Sequence, residues 1–281
     1  MLLFENIGSE GRGSTETQNF EDPNRPALCL CTSGTTGVPK AILLSSRGFL
    51  NCLGNQSKTH GVKREDVILQ QSNLGFDMAI AEALLAMTHG STLVIAPQSS
   101  RGDPVAVTSL MVEEDVTFTF AYPTEYLMWI RYCVDNLSQM RRWRLAHCGG
   151  KKVPDALRRE LRQLKHIPVF ADAYGPTDIS ICVTMEHDED LVFDPLAAGA
   201  TCVGRPVANV GCFILDAYGH VCPPGVPGEI CVTGAGVALG YAGAEATAKS
   251  FVEDFQIPDG VGISLSQGKD VQDWRSRSVA I

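Results

Sequence analysis

Short apolar runs of strand length alternate with longer segments of helical period through the first two-thirds of the chain. Runs at 27–30 and 41–44 flank a loop and predict a hairpin. Strands are then expected at 67–74, 91–96, 116–121, 144–147 and 168–171, and helices at 45–58, 78–89, 104–114, 126–136 and 154–164. Ser45 or Ser46 would cap the first helix, Gly90 would end the second, and Pro104 would start the third. Alternation of this kind predicts an α/β fold with a mostly parallel sheet and flanking helices, and places ligands beyond the carboxyl ends of the strands, at 75–77, 121–123, 148–151 and 171–178. From residue 201 the texture becomes short alternating runs broken by Gly and Pro, with a hairpin turn at 216–219, so a small antiparallel β subdomain is expected. The expected division is a flexible arm at 1–26, an α/β core at 27–200, a β-rich subdomain at 201–255 and an irregular tail at 256–281 that ends without a closing strand.

The loop between the first two runs reads CTSGTTGVPK over residues 31–40. Gly34 and Gly37 let main-chain amides approach a ligand, Ser33, Thr35 and Thr36 offer hydroxyl donors, and Lys40 adds a positive charge. Those atoms suit phosphate oxygens. A nucleoside triphosphatase P-loop is excluded, because Pro39 stands where its glycine precedes the lysine and Ala41 where Ser or Thr follows. A plain glycine-rich turn with an exposed lysine is the alternative. Further on, Tyr174 beside Gly175-Pro176 offers a flat face to a purine, and Asp178 offers a carboxylate to a divalent cation. A turn with a packed tyrosine is the alternative there, and a helix N-cap is the alternative role for Asp77.

Composition narrows the classes. The chain has 281 residues, 44% apolar and 20% charged, which is enough for a sizeable core. A net charge of -9 gives no basic footprint, so neither nucleic acid nor an anionic membrane is an expected partner. No apolar stretch has the length of a membrane span, and the amino terminus lacks signal-peptide regions. The ten cysteines are scattered singly through apolar segments without a CxxC pair, which reads as core packing in a cytoplasmic protein and argues against zinc.

TSGTTGVPK resembles the phosphate-loop signature SGTTGxPKG of the AMP-forming adenylating enzymes, with Ala41 in place of the last glycine. Three other stretches agree in order. DAYGPTD at 172–178 resembles NxYGPTE, with Asp172 for Asn and Asp178 for Glu. CGGK at 148–151 resembles the GGE loop, with Lys151 for the acid. GEICVTGAGVALGY at 228–241 resembles GELxIxGxGVARGY, with Leu239 for Arg. Its glycine spacing is one residue too long for a dinucleotide fingerprint. Phe76-Asp77 resembles the FD motif of amino-acid-activating members, and the whole is closest in kind to a nonribosomal peptide synthetase adenylation domain truncated at both ends.

The resemblance implies ATP and Mg²⁺ as cofactors and a carboxylic acid as substrate, activated as acyl-AMP, with a carrier protein among the partners. It implies catalytic roles for Lys40, Thr177 and Asp178, with Asp178 as metal ligand. Nucleotide contacts would come from Thr32, Ser33, Gly34, Thr35, Thr36, Gly37, Gly149, Gly150, Ala173, Tyr174 and Gly175. Asp77 would hold an α-ammonium, and Met78, Ala81, Phe120, His147, Gly149, Ala173, Ile181 and Cys182 would line an apolar pocket for a hydrophobic or aromatic amino acid. The family's ribose-binding TGD aspartate and carboxy-terminal lid domain with its lysine have no counterpart here, since Lys269-Asp270 lacks matching context. Two alternatives follow: a catalytically silent nucleotide-binding or interaction fragment, and an acyl- or aryl-CoA ligase, which Phe76-Asp77 disfavours.

Overall fold

A computed structural model describes residues 22–32, 39–188, 203–252 and 278–280. The chain opens with an antiparallel hairpin, β1 (Pro26–Thr32) and β2 (Lys40–Ser45), in register from Leu28↔Leu44 to Thr32↔Lys40. Ser45 ends β2 and caps α1 (Ser46–His60) by accepting the Gly48 amide at 3.1 Å, and Gly61 closes the helix at φ 55°.

The central sheet has seven strands. β3 (Val67–Gln70), β4 (Thr92–Ile95), β5 (Phe118–Ala121), β6 (Leu145–Gly149) and β7 (Val169–Tyr174) run parallel in the order β4-β3-β5-β6-β7. β8 (Thr184–Asp188) and β9 (Arg205–Pro206) then extend one edge antiparallel. Between the strands lie α2 (Asp77–His89), α3 (Pro104–Glu113), α4 (Pro123–Tyr132), α5 (Val134–Leu137) and α6 (Asp155–Leu161).

Period-2 alternation sorts the sheet's side chains onto two cores. Phe118, Phe120 and Leu145 face α1, α2 and the hairpin. Ala146, Cys148 and Phe170 face the other way, against Tyr126 and Trp129 of α4 and Leu157 of α6. The fold class expected from the alternation of runs is therefore found, including the antiparallel unit: β10 (Val210–Leu215) pairs with β11 (Glu229–Gly234), and the turn at Asp216 closes on Gly219.

Several boundaries differ from expectation. The strand expected at 67–74 stops at Gln70, because Gln71 turns its amide to the Phe120 carbonyl and Ser72 bonds Glu82. The helix expected at 126–136 starts earlier, on Pro123, and breaks at Cys133 (φ -135°, ψ 30°). The one expected at 154–164 is shortened to Asp155–Leu161. Residues 278–280 are not structureless: β14 (Ser278–Ala280) lies between β11 and β13 (Phe251–Val252), which corrects the expectation that the tail ends without a strand. No helix among the described residues is long and apolar enough to cross a membrane.

Candidate active site

Chain reversals at the carboxyl ends of β3, β4, β5, β6 and β7 converge on two adjoining cavities. The first, of about 380 Å³, is lined by Asp77 and Met78 of α2, Tyr122 after β5, His147 and Gly149 of β6, Ala173 of β7 and Ile181, among others. The second, of about 560 Å³, lies between Lys151, Lys152, Asp172, Tyr174 and Pro176. Gly150, Ala173 and Gly175 line both.

That shared wall is thin for steric reasons. A Cβ on Gly175 would run into the Ile181 carbonyl, and one on Gly149 would sit 3.1 Å from the Ala173 oxygen. Gly150 adopts φ 76°, and a Cβ there would run into the Tyr122 ring. The loop that returns from the wall is itself strained: Ser180 and Ile181 have φ of 52° and 82°. For a β-branched residue such as Ile181, that backbone region is an outlier that costs of order 1–3 kcal/mol and marks functional sites.

Asp77 is the first helical residue of α2, and the cap position is Phe76, which makes no side-chain cap bond. Burial pushes the Asp77 carboxyl above the usual aspartate range, offset in part by hydrogen bonding from Thr177 and from the Met78 amide at 2.8 Å. His147 contacts His60 of α1 through a 2.9 Å Nδ1–Nε2 hydrogen bond and packs on Phe120 at 4.6 Å. Of the expected pocket residues, Met78, His147, Gly149, Ala173 and Ile181 line the first cavity. Ala81, Phe120 and Cys182 do not; they are fully buried behind it, with the Cys182 thiol pushed up to about 12 by burial.

In the second cavity, Tyr174 is half-buried at the end of β7, and Asp172, which stands where the family has Asn, is buried and paired with Arg158 at 3.3 Å. Ser33, Gly34, Thr35, Thr36 and Gly37 fall outside the described residues, while Thr32 and Lys40 fix the two ends of their loop in the hairpin ladder. Lys40 places its Nζ 4.8 Å over the Tyr241 ring. Asp178 sits in a short 3-10 turn, Thr177–Ile179, with Oδ1 buried and lacking a hydrogen-bond partner. An orphaned carboxylate oxygen is what a divalent cation would complete, so Asp178 fits Mg²⁺. No cluster of three or more His, Cys, Asp or Glu side chains suited to a metal occurs among the described residues.

The sequence reading missed Gln71, Gln98, Arg101 and Glu125 in the first cavity and the part played by Tyr241. The Tyr122-Pro123 step, a strand end meeting a helix start, was the only signal for its neighbourhood. Arg101 and Gln98 reach the cavity from a long loop that carries no pattern.

The AMP-binding enzyme family model matches residues 4–242, and the chain belongs to that family. It is 48% identical over 83% of its length to the hybrid PKS-NRPS synthetase lepA of Aspergillus flavus, and 42% identical over 88% to a cyclo-acetoacetyl-L-tryptophan synthase of Aspergillus oryzae. It spans about 6% of the length of either relative. Among solved structures it resembles the N-terminal subdomain of Klebsiella oxytoca NpsA bound to 3-hydroxyanthranilyl-AMSN, with TM-score 0.71 and 25% identity over 92% of this chain and 59% of that one. The Vibrio cholerae adenylation domain AlmE, solved with glycyl-adenosine-5'-phosphate, shares the fold at TM-score 0.73 and 20% identity, over 92% of this chain and 45% of that one. The nonribosomal peptide synthetase FmoA3, solved with AMPPNP, does so at TM-score 0.76 and 24%, over 92% and 26%. These likenesses agree with the resemblance to nonribosomal peptide synthetase adenylation domains, of which the chain covers part.

Proposed function

We propose that the chain is the core of an amino-acid-adenylating domain in a nonribosomal peptide-type synthetase, binding ATP in the second cavity and an α-amino acid in the first. The observation that carries this reading is the half-buried Asp77 carboxylate, which lines one cavity and makes no ion pair among the described residues, while Gly150, Ala173 and Gly175 line that cavity and the other alike. A desolvated carboxylate of this kind wants an ammonium partner. Met78, Ile181 and the His147 ring around it favour a hydrophobic or aromatic side chain, although apolar pockets discriminate such groups only modestly.

In the proposed reaction the substrate carboxylate oxygen attacks the α-phosphorus of ATP, the bond to pyrophosphate breaks, and acyl-AMP forms. Tyr174 would stack the adenine, and Lys40 with the loop from Thr32 onward would hold phosphate oxygens and answer the charge that develops on them. Mg²⁺, held by Asp178, would supply further positive charge against those oxygens. Transfer of the acyl group to a carrier protein would follow in the parent synthetase. A cytosolic setting accords with the nine free thiols among the described residues.

The test is amino-acid-dependent exchange of labelled pyrophosphate into ATP, run beside an ATP-binding titration. Exchange above a Lys40→Ala control supports the reading and names the substrate. ATP binding without exchange would favour the silent nucleotide-binding fragment.

A further inference from the structure

The first cavity carries a positive charge that the role of Asp77 does not use. Arg101 lines it from the loop after β4, together with Gln98 and Gly102. The guanidinium is half-buried and held on three sides: Nε donates to the Ala96 carbonyl at 3.2 Å, Nη1 to the Ser72 carbonyl at 3.3 Å and Nη2 to Gln70 Oε1 at 2.8 Å. Gln70 is fixed in turn, donating from Nε2 to the same Ser72 carbonyl at 2.7 Å. Because Gln70 is the last residue of β3, these bonds carry the guanidinium from its own loop to a place over the carboxyl end of β3.

Every acceptor in that set is neutral. Arg101 makes no ion pair among the described residues, and the acids of the neighbourhood are engaged elsewhere: Glu82 accepts the Ser72 hydroxyl at 2.6 Å, and Glu125, which also lines the cavity, accepts the Tyr122 amide at 2.8 Å. A guanidinium has five N–H donors, so with one bond from each nitrogen one N–H remains on Nη1 and one on Nη2. Those donors suit an acceptor oxygen, a carboxylate above all. A clamp that only tied the loop to β3 has no use for a charge, which costs free energy to desolvate unless an anion answers it.

The place of the charge fits the far end of a bound amino acid. In the sheet order β3-β5-β6, two strand spacings of about 4.8 Å, roughly 10 Å, separate the end of β3 from β6, which carries His147 and Gly149. Gly150 follows β6 and belongs to the wall shared with the second cavity. An amino acid whose carboxylate meets that wall can run its side chain past Ala121 and Tyr122, at the end of β5, to Arg101. We propose that Arg101 is a specificity-determining residue of the first cavity: it receives an acceptor oxygen, foremost a carboxylate, at the far end of a side chain whose body is aromatic or aliphatic. The inference rests on the assignment of this cavity to an α-amino acid held by Asp77, and adds the chemistry of that side chain's end.

The experiment is a calorimetric titration of the 281-residue chain with phenylalanine, tyrosine and 4-carboxyphenylalanine, which share one body and end in a hydrogen, a hydroxyl and a carboxylate. The wild type is expected to bind 4-carboxyphenylalanine about tenfold or more tightly than phenylalanine, with tyrosine between them. In Arg101→Met the three should bind alike, and Arg101→Lys should keep the order with a smaller spread, because the ammonium retains the charge without the planar fork. Equal binding of phenylalanine and 4-carboxyphenylalanine by the wild type, with both weakened by Asp77→Asn, would overturn the role of Arg101 and leave the amino-acid site standing. So would a preference for the carboxylate that survives in a folded Arg101→Met. If the wild type binds none of the three, the assignment of the cavity fails and this inference with it. Should Arg101→Met not fold, the order in the wild type and its spread in Arg101→Lys carry the test, and a flat series overturns the proposal.

Discussion

Asp77 sets its charge at the first position of α2, where burial raises its pKa and Thr177, the Met78 amide and its own amide offset that in part. Asp77→Asn is expected to weaken amino-acid binding by about 1.5–3 kcal/mol, roughly 10- to 100-fold, as for a lost hydrogen bond to a charged group, while an ATP titration stays unchanged. The raised pKa sets the direction with pH. The carboxylate takes up its proton at a higher pH than an ordinary aspartate, so amino-acid affinity should begin to fall on mild acidification, and titrations from pH 7.5 to 5 should show it. That Asp77 and Tyr174 would line the cavities was legible in the sequence because each sits within a short stretch whose neighbours identify it, whereas Asp178 lines neither cavity. Tyr241 and Lys40 were not legible as a pair, because the ladder that joins them links distant parts of the chain.

Helix ends supply the sharpest test among the elements. Ser45 accepts the Gly48 amide at the start of α1, so Ser45→Ala should cost about 1 kcal/mol and lower Tm by about 2–4 °C in a calorimetric scan, with nucleotide binding preserved. Ser45, Gly90 and Pro104 were readable as punctuation because capping and termination depend on a few adjacent atoms, and Asp103 completes the pattern by accepting the Val105 and Ala106 amides. Boundaries that depend on partners elsewhere were not. β3 stops where Gln71 and Ser72 find acceptors on β5 and α2, and α4 breaks from α5 at Cys133 without Gly or Pro to announce it. β9, β12 (Gly240–Tyr241) and β14 exist because a neighbouring strand edge receives them, and two or three residues carry too little period to be recognised alone.

Across the molecule, two buried acids give stability opposite slopes in pH. Arg144 holds Asp66 at 2.5 and 2.7 Å and also donates to the His60 and Gly61 carbonyls, tying the end of α1 to the start of β3 and β6. Although burial opposes it, Arg144 keeps the Asp66 carboxyl below its usual range. Its contribution is therefore present above pH 3.8 and lost as pH falls through the lower folded value. Asp66→Asn should cost of order 2–3 kcal/mol in denaturant melts, at the low end for a buried pair because Arg144 is 31% exposed.

Glu82 behaves the other way. Burial pushes it up to about 8, against hydrogen bonds from Ser72, so the folded state holds a proton that the unfolded chain releases near 4.5. Stability should fall as pH rises from about 4.5 to 8, and Glu82→Gln should flatten that slope, removing a loss of order a few kcal/mol. A Tm series across that range on both proteins checks it. Neither acid stands out in the sequence, because the burial and partners of each are set by other elements of the fold.

The thin wall of Gly150, Ala173 and Gly175 has a kinetic corollary under the proposed reaction. Reactants that lie on either side of a partition meet only through the room left by missing atoms. A single methyl at position 175 intrudes on that room by running into the Ile181 carbonyl. Gly175→Ala that still folds should let each ligand saturate at its own dissociation constant and leave the ternary complex stalled. Occupancy and commitment would come apart, and a chain that passes every equilibrium assay would fail the first one that counts turnovers.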